Sequence, residues 1–142
     1  MTVEAVTKPD ALSPLAKHIR ALSQKAWPGS KPVEIVGNDP RLLTALRKVE
    51  KFARFNEPIL ITGESGVGKE AFAKACYLLS SRLGKPYAAV NCPQYEEGNV
   101  TVSQLFGHRR GSFTGAVSDH AGFFETADGG VIFLDEFHRI VR

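Results

Sequence analysis

Eight residues, Gly63-Glu64-Ser65-Gly66-Val67-Gly68-Lys69-Glu70, follow the apolar run Ile59-Leu60-Ile61-Thr62 and open a helix-forming stretch. The spacing G-x-x-x-x-G-K is that of a loop that wraps a phosphate chain. Glycines let the backbone curl until several N–H groups point inward at a β-phosphate, and the following helix N-terminus adds its positive dipole end. Lys69 supplies a point charge for the β- and γ-phosphates. The next position usually holds a Ser or Thr that ligates magnesium, and here it holds Glu70. A carboxylate there could bind magnesium through water, form an ion pair at the mouth of the loop, or simply favour the helix N-terminus by its charge. It cannot copy the direct hydroxyl ligand.

A second constellation lies near the C-terminal end. Val131-Ile132-Phe133-Leu134 reads as a buried strand that delivers Asp135 and Glu136 at its carboxyl edge, where ligands of open α/β sheets bind. An acidic pair after an apolar run is common and by itself describes a solvated strand end. Beside a phosphate loop it looks like a Walker B element. Asp135 would hold Mg²⁺ directly or through water, and Glu136 would orient and polarise an attacking water.

The elements that must position these groups are those of one α/β domain with parallel strands. Ser13-Pro14 caps a short helix with Leu15, Ile19, Leu22 and Ala26 on one face, and Trp27-Pro28-Gly29 stops it. Four prolines by Pro32 mark residues 1–32 as a flexible or loosely docked leader. Asn38-Asp39-Pro40 caps a second helix with Leu42, Leu46, Val49 and Ala53 at helical spacing. A strand at 59–62, a helix at 69–82 and a second strand at 87–91 follow. Residues 93–99 read as loop, 102–106 as the start of a helix, 107–122 as a glycine-containing loop and 123–127 as a helical turn before the strand at 131–134.

Composition agrees without deciding anything. The chain has 142 residues, 43% hydrophobic and 23% charged, enough for a real core. Its formal charge is +3, with no Lys/Arg block long enough for a nucleic-acid arm, so direct DNA binding by this segment is not expected. No apolar run approaches a membrane span and the N-terminus lacks a signal-peptide pattern. The expected compartment is the cytoplasm, and Cys76 and Cys92 are read as reduced thiols. His18, His108, His120 and His138 show no metal-ligand spacing and are read as solvated or locally bonded.

The stretch Leu105-Phe106-Gly107-His108-Arg109-Arg110-Gly111-Ser112-Phe113-Thr114-Gly115-Ala116 resembles the surface-loop signature, G-A-F-T-G-A at its core, of the bacterial enhancer-binding proteins. These are AAA+ ATPases that activate sigma-54 RNA polymerase. Gly63 to Glu70 with its final Glu, Val90-Asn91-Cys92, and Gly129-Gly130-Val131-Ile132-Phe133-Leu134-Asp135-Glu136 match further elements in order. Ser112, Gln104 and Arg109 depart from the usual Ala, Glu and acidic residue of the family.

The resemblance implies a P-loop AAA+ three-layer sandwich, of which residues 33–142 are an incomplete sigma-54 interaction domain. It implies ATP and Mg²⁺ as cofactors, sigma-54 RNA polymerase as partner and self-association into a ring, commonly a hexamer. Hydrolysis would raise and lower the loop at Gly111, Ser112, Phe113, Thr114, Gly115 and Ala116, which touches sigma-54 and helps to open the closed promoter complex. Asn91 would hold Glu136 in an inactive orientation, and Ile35, Val36 and Gly37 would lie near the adenine. From the residues alone, glycines at 107, 111 and 115 permit a mobile excursion. An exposed Phe113 at its tip is costly unless a partner covers it; the alternative is burial against its own domain.

In this family the sensor strand, arginine fingers, helical lid and DNA-binding domain lie after the acidic pair. The expectation is therefore a fragment whose isolated form does not hydrolyse ATP. The alternative readings are a non-hydrolysing nucleotide- or sigma-54-binding fragment, or another P-loop AAA+ ATPase such as a helicase loader.

Overall fold

Proline decides where the first two helices begin. Ser13 precedes Pro14 and Asp39 precedes Pro40, and each polar side chain accepts a first-turn amide, Ala16 N–H at 3.2 Å and Arg41 N–H at 2.8 Å. A proline at the first helical position loses nothing, because its N–H would have had no helical partner. The helices so started are α1, Pro14–Ala26, and α2, Pro40–Phe52. The computed structural model describes residues 12–92 and 99–136. The chain divides into two compact units, Met1–Leu83 and Gly84–Arg142.

In the first unit α1 and α2 both pack on α3, Lys69–Leu78. Ile19, Leu46 and Leu78 are fully buried. The buried face of α1 is Ala16, Ile19 and Ser23, with Leu15, Leu22 and Ala26 only half-buried. This face is turned from the apolar stripe expected, and Ser23 is the reason. Its hydroxyl donates to the Arg20 carbonyl at 2.7 Å and accepts the Val33 N–H at 2.9 Å, tying α1 to the chain that follows it. Trp27 stacks on Tyr77 of α3 with ring centroids 5.7 Å apart, and Arg20 Nε meets Glu34 at 2.9 Å. Helix α1 is thus tied to α3 and to Val33 and Glu34, with Pro14 at its start and Pro28 just after its C-cap; residues 1–11 of the expected leader lie outside the described residues.

Two expectations for this unit need correction. Helix α3 ends at Leu78, four residues before Arg82. The Ser80 hydroxyl donates to the Tyr77 carbonyl at 2.7 Å and accepts the Arg82 N–H at 3.1 Å, local bonds that compete with the helical ladder. Residues 59–62, expected as a strand, join no ladder among the described residues. A strand is stabilised by a partner edge, and without one Leu60 stands 86% exposed.

In the second unit β1, Tyr87–Asn91, and β2, Val131–Asp135, form a parallel pair in register from Tyr87↔Val131 to Asn91↔Asp135. Strand β1 has the bounds expected; β2 runs one residue further than expected and takes in Asp135. Between them lie α4, Asn99–Phe106, and α5, Phe123–Thr126. Helix α4 begins three residues earlier than expected, at the last residue of the expected loop; the rest of that loop, 93–98, lies outside the described residues. Val90, Cys92 and Leu105 form the core, with Phe123, Ile132 and Leu134 against it. The Val131 N–H donates to the Pro86 carbonyl at 2.9 Å and starts the register.

Candidate functional site

The loop at 63–70 is shaped by its own residues. Gly68, at φ 98°, is the N-cap of α3, and Gly66 has φ 80°. Such left-handed conformations cost a side-chain-bearing residue about 1–2 kcal/mol, which is why glycine stands where the loop turns into the helix. The Val67 N–H reaches the Glu64 carbonyl at 3.4 Å and the Phe72 N–H reaches the Gly68 carbonyl at 3.2 Å. Lys69 Nζ donates to the Gly63 carbonyl at 3.1 Å, so the ammonium is folded back across the loop. Of the readings open for Glu70, the structure draws an ion pair, directed along α3: its carboxylate meets Lys74 Nζ at 2.9 Å. In the same unit Ile35 is buried, Val36 is exposed and Gly37 packs near Leu42 ahead of α2.

The second unit brings Asn91, Asp135 and Glu136 together. Strand register sets Asn91 beside Asp135 at the carboxyl ends of both strands, so an amide and two carboxylates share one sheet edge. Glu136 has φ 51°, the one positive φ among the described non-glycine residues, and its N–H donates to Asp135 Oδ1 at 2.9 Å. A left-handed Glu directly after a strand is a strained position of the kind that clusters at functional sites. Below this edge the Cys92 thiol is pushed up, first by burial and then by the charge of Asp135. Both cysteines are free thiols, as expected, and burial pushes Cys76 up as well.

The loop at 107–122 is a closed hairpin. His108 and His120 exchange both backbone hydrogen bonds at 2.8 Å, and their rings stack with centroids 5.6 Å apart. His108 Nδ1 also bonds the buried Ser103 hydroxyl. Toward the tip, Gly111 N–H reaches the Ala116 carbonyl at 2.8 Å and Ala116 N–H the Phe113 carbonyl at 3.0 Å. The Arg110 N–H is held by Asp119 Oδ1 at 2.8 Å. Phe113 is half-buried, its ring edge-to-face with that of His108 at 4.9 Å between centroids, while Ser112, Thr114 and Gly115 are exposed and Ala116 is buried.

Sequence reading had both histidines as locally bonded at most. What it missed is that they close the hairpin and that His108 carries Phe113. The available signal was the placement of His108 and His120 just inside Gly107 and Gly122, the glycines that bracket the loop. Equally invisible was the contact of Lys74 with Trp27, at 5.9 Å from ammonium to ring centroid.

Comparison with known proteins bears on all three features. The sigma-54 interaction domain family matches residues 35–141. The Nif-specific regulatory protein of Rhizobium etli is 44% identical over 123 residues, which are 84% of this chain and 21% of that protein. The transcriptional regulatory protein GlrR of Escherichia coli is 46% identical over 102 residues, 72% of this chain and 23% of that one. The chain thus spans about a fifth of the length of these relatives. Among solved structures, NtrX from Brucella abortus in complex with ADP is similar with TM-score 0.67 and 31% identity, over 78% of this chain and 23% of that one. With the phosphate loop, the acidic strand end and the Gly111–Ala116 hairpin all inside the matched residues, this chain belongs to the sigma-54 interaction domain family, an AAA+ fold.

Proposed function

We propose that this chain is the nucleotide-binding portion of a sigma-54-dependent activator that couples ATP hydrolysis to remodelling of the closed promoter complex. The observation that carries the reading is the loop at 63–70, where glycines with positive φ cap α3 and the Lys69 ammonium lies across the turn. Inward N–H groups, a helix N-terminus and a lysine form a seat for a polyphosphate. Similarity to NtrX, a structure solved in complex with ADP, supports the same ligand class.

Among the described residues no group of three or more His, Cys, Asp or Glu forms a cage for a metal ion. That suits magnesium at a phosphate site, which takes one or two protein carboxylates and fills its shell with phosphate and water. When bound, it neutralises charge on the phosphates. Asp135 is the carboxylate we assign to it. Glu136 is assigned to polarise water, and Asn91, in register with the preceding Asp135 across the strand pair, to hold Glu136 back. Ile35, Val36 and Gly37 are assigned to the adenine. The hairpin tip, Gly111 to Ala116 with Phe113 and Thr114 foremost, is assigned to sigma-54, and ring assembly to the intact protein.

The test is calorimetric titration of the chain with Mg-ADP, beside Lys69→Ala. A charged hydrogen bond to phosphate is worth about 1.5–3 kcal/mol, so affinity should fall about 10- to 150-fold while the melting temperature holds. Equal affinity in the two proteins refutes the phosphate seat. For the hairpin, capture of purified sigma-54 by the chain should be lost in Thr114→Ala, and retention would refute that assignment.

A further inference from the structure

Helix α1 lies outside the residues that the family matches, yet it is tied to the helix that carries the phosphate loop. Beside the packing of α1 on α3, one side chain of α3 touches both the end of α1 and the residue after Lys69. Lys74, one turn along α3 from Glu70, pairs with the Glu70 carboxylate at 2.9 Å and stands 5.9 Å from the centroid of the Trp27 ring. Trp27 closes α1 as its C-cap, its N–H bonded to the Ser23 carbonyl at 2.9 Å, and it stacks on Tyr77 of the same α3. Glu70 itself directly follows Lys69. A single ammonium therefore stands between the mouth of the phosphate loop and the end of α1.

We propose that Lys74 is a positioning residue that couples occupancy of the phosphate loop to the docking of α1, with Trp27 as the side chain that feels it. This rests on the reading of the loop as a polyphosphate seat. The reasoning is one of competing partners. A distance of 5.9 Å is the outer limit at which a ring face attracts a cation, about 6 Å, so the carboxylate at present holds the ammonium away from its best place over the indole. A magnesium polyphosphate at the helix N-terminus changes the charge around Glu70, and a carboxylate beside a metal ion turns toward the metal's water shell. Lys74 then loses its anionic partner and settles on the Trp27 face. Occupancy of the loop tightens α1, and by reciprocity a docked α1 favours occupancy. Chain N-terminal to the family domain gains a route to the nucleotide that touches no catalytic group.

Trp27 is the only tryptophan of the chain, so the emission comes from this one indole, and the Lys74 variants separate the ammonium's effect from that of the Tyr77 stack. The experiment titrates the full chain with Mg-ADP and follows binding by calorimetry and Trp27 emission in parallel, for the native protein, Lys74→Met and Lys74→Arg. Emission should change and saturate with binding in the native protein, vanish in Lys74→Met and return in Lys74→Arg, which keeps a cation over the ring. Calorimetric affinity in Lys74→Met should fall about two-fold, as befits one exposed pair. Binding with no change in native emission overturns the coupling and leaves the phosphate seat standing. An undiminished emission change in Lys74→Met overturns it too. Absence of calorimetric binding in the native chain refutes the seat itself, and the coupling with it.

Discussion

Replacing Ser23 by Ala is the sharpest probe of how α1 is held. Ser23 is 1% exposed, and its hydroxyl is both donor to the Arg20 carbonyl and acceptor of the Val33 N–H. The Arg20 carbonyl lies within the helix and keeps its ladder partner. The Val33 N–H, on a buried residue, is left with nothing. An orphaned buried donor costs about 1–3 kcal/mol, and alanine's better helix propensity returns about 0.5 kcal/mol. The net loss is about 0.5–2.5 kcal/mol, which lowers the protection of the Val33 amide against hydrogen exchange about 2- to 70-fold. Gln24→Ala, one residue along on the exposed face, should change stability by no more than about 0.5 kcal/mol. Exchange measured amide by amide separates the two. Unchanged protection at Val33 in a folded Ser23→Ala protein would refute the view that this one hydroxyl holds α1 to the segment behind it.

Three further outcomes follow from the same geometry. A Cβ on Gly122 would run into the backbone of Gly107 and of Leu105, so Gly122→Ala should cost about 1–3 kcal/mol and abolish exchange protection of the His108 and His120 amides; intact protection would show that the hairpin base has room. Asp39 is held below the usual carboxylate range by its hydrogen bonds to Arg41. A carboxyl depressed in the folded state stabilises fully above its unfolded pKa of about 3.9 and loses that contribution as pH falls through its lower folded value. Helix α2 should therefore begin to weaken below about pH 4, followed by the carboxyl shift of Asp39 in an NMR titration, and Asp39→Asn should remove that dependence while keeping the cap. Leu60 is exposed on a segment that joins no ladder among the described residues. Leu60→Ser should leave stability within about 0.5 kcal/mol and reduce aggregation seen by light scattering; a large loss of stability would mean that the side chain is packed.

What could be read from the sequence was whatever a few neighbouring residues decide. Ser13-Pro14 and Asp39-Pro40 each carry their own cap and start, and both helices begin where those pairs put them. Strand β1 was legible at both ends because Pro86 precedes it and a short apolar run fills it. The α3 terminus was not, because a hydroxyl at Ser80 turned back on Tyr77 while apolar periodicity continued past it. The face of α1 was misjudged for a related reason: apolar spacing nominated Leu15 and Leu22, but a hydrogen bond to Val33, ten residues distant, chose Ser23. The strand at 59–62 required a partner edge, and no local pattern says whether one is there. In the candidate site, residue types were legible and contacts were not. Nothing in the spacing of Lys74 or His108 shows that one faces an indole and the other supports Phe113.

The loop at 63–70 and the acidic strand end, one in each unit, depend on different kinds of order. The phosphate loop takes its form from Gly66, Gly68 and the start of α3, all within eight residues, and holds it although 59–62 joins no ladder. Binding a phosphate needs only that local curl and a charge. The acidic end is another matter. Asp135 and Glu136 are placed by the pairing of β2 with a strand whose register partners lie 44 residues earlier in the chain, from Tyr87 and Val131 to Asn91 and Asp135. A slip of one residue would turn every side chain of β2 to the other face and separate Asn91 from Asp135. Under the proposed function, affinity for a nucleotide is accordingly a property of short-range geometry. Under that same function, chemistry at the strand end is a property of long-range pairing, and substitutions that disturb the β1–β2 register should leave Mg-ADP affinity, measured by calorimetry, unchanged.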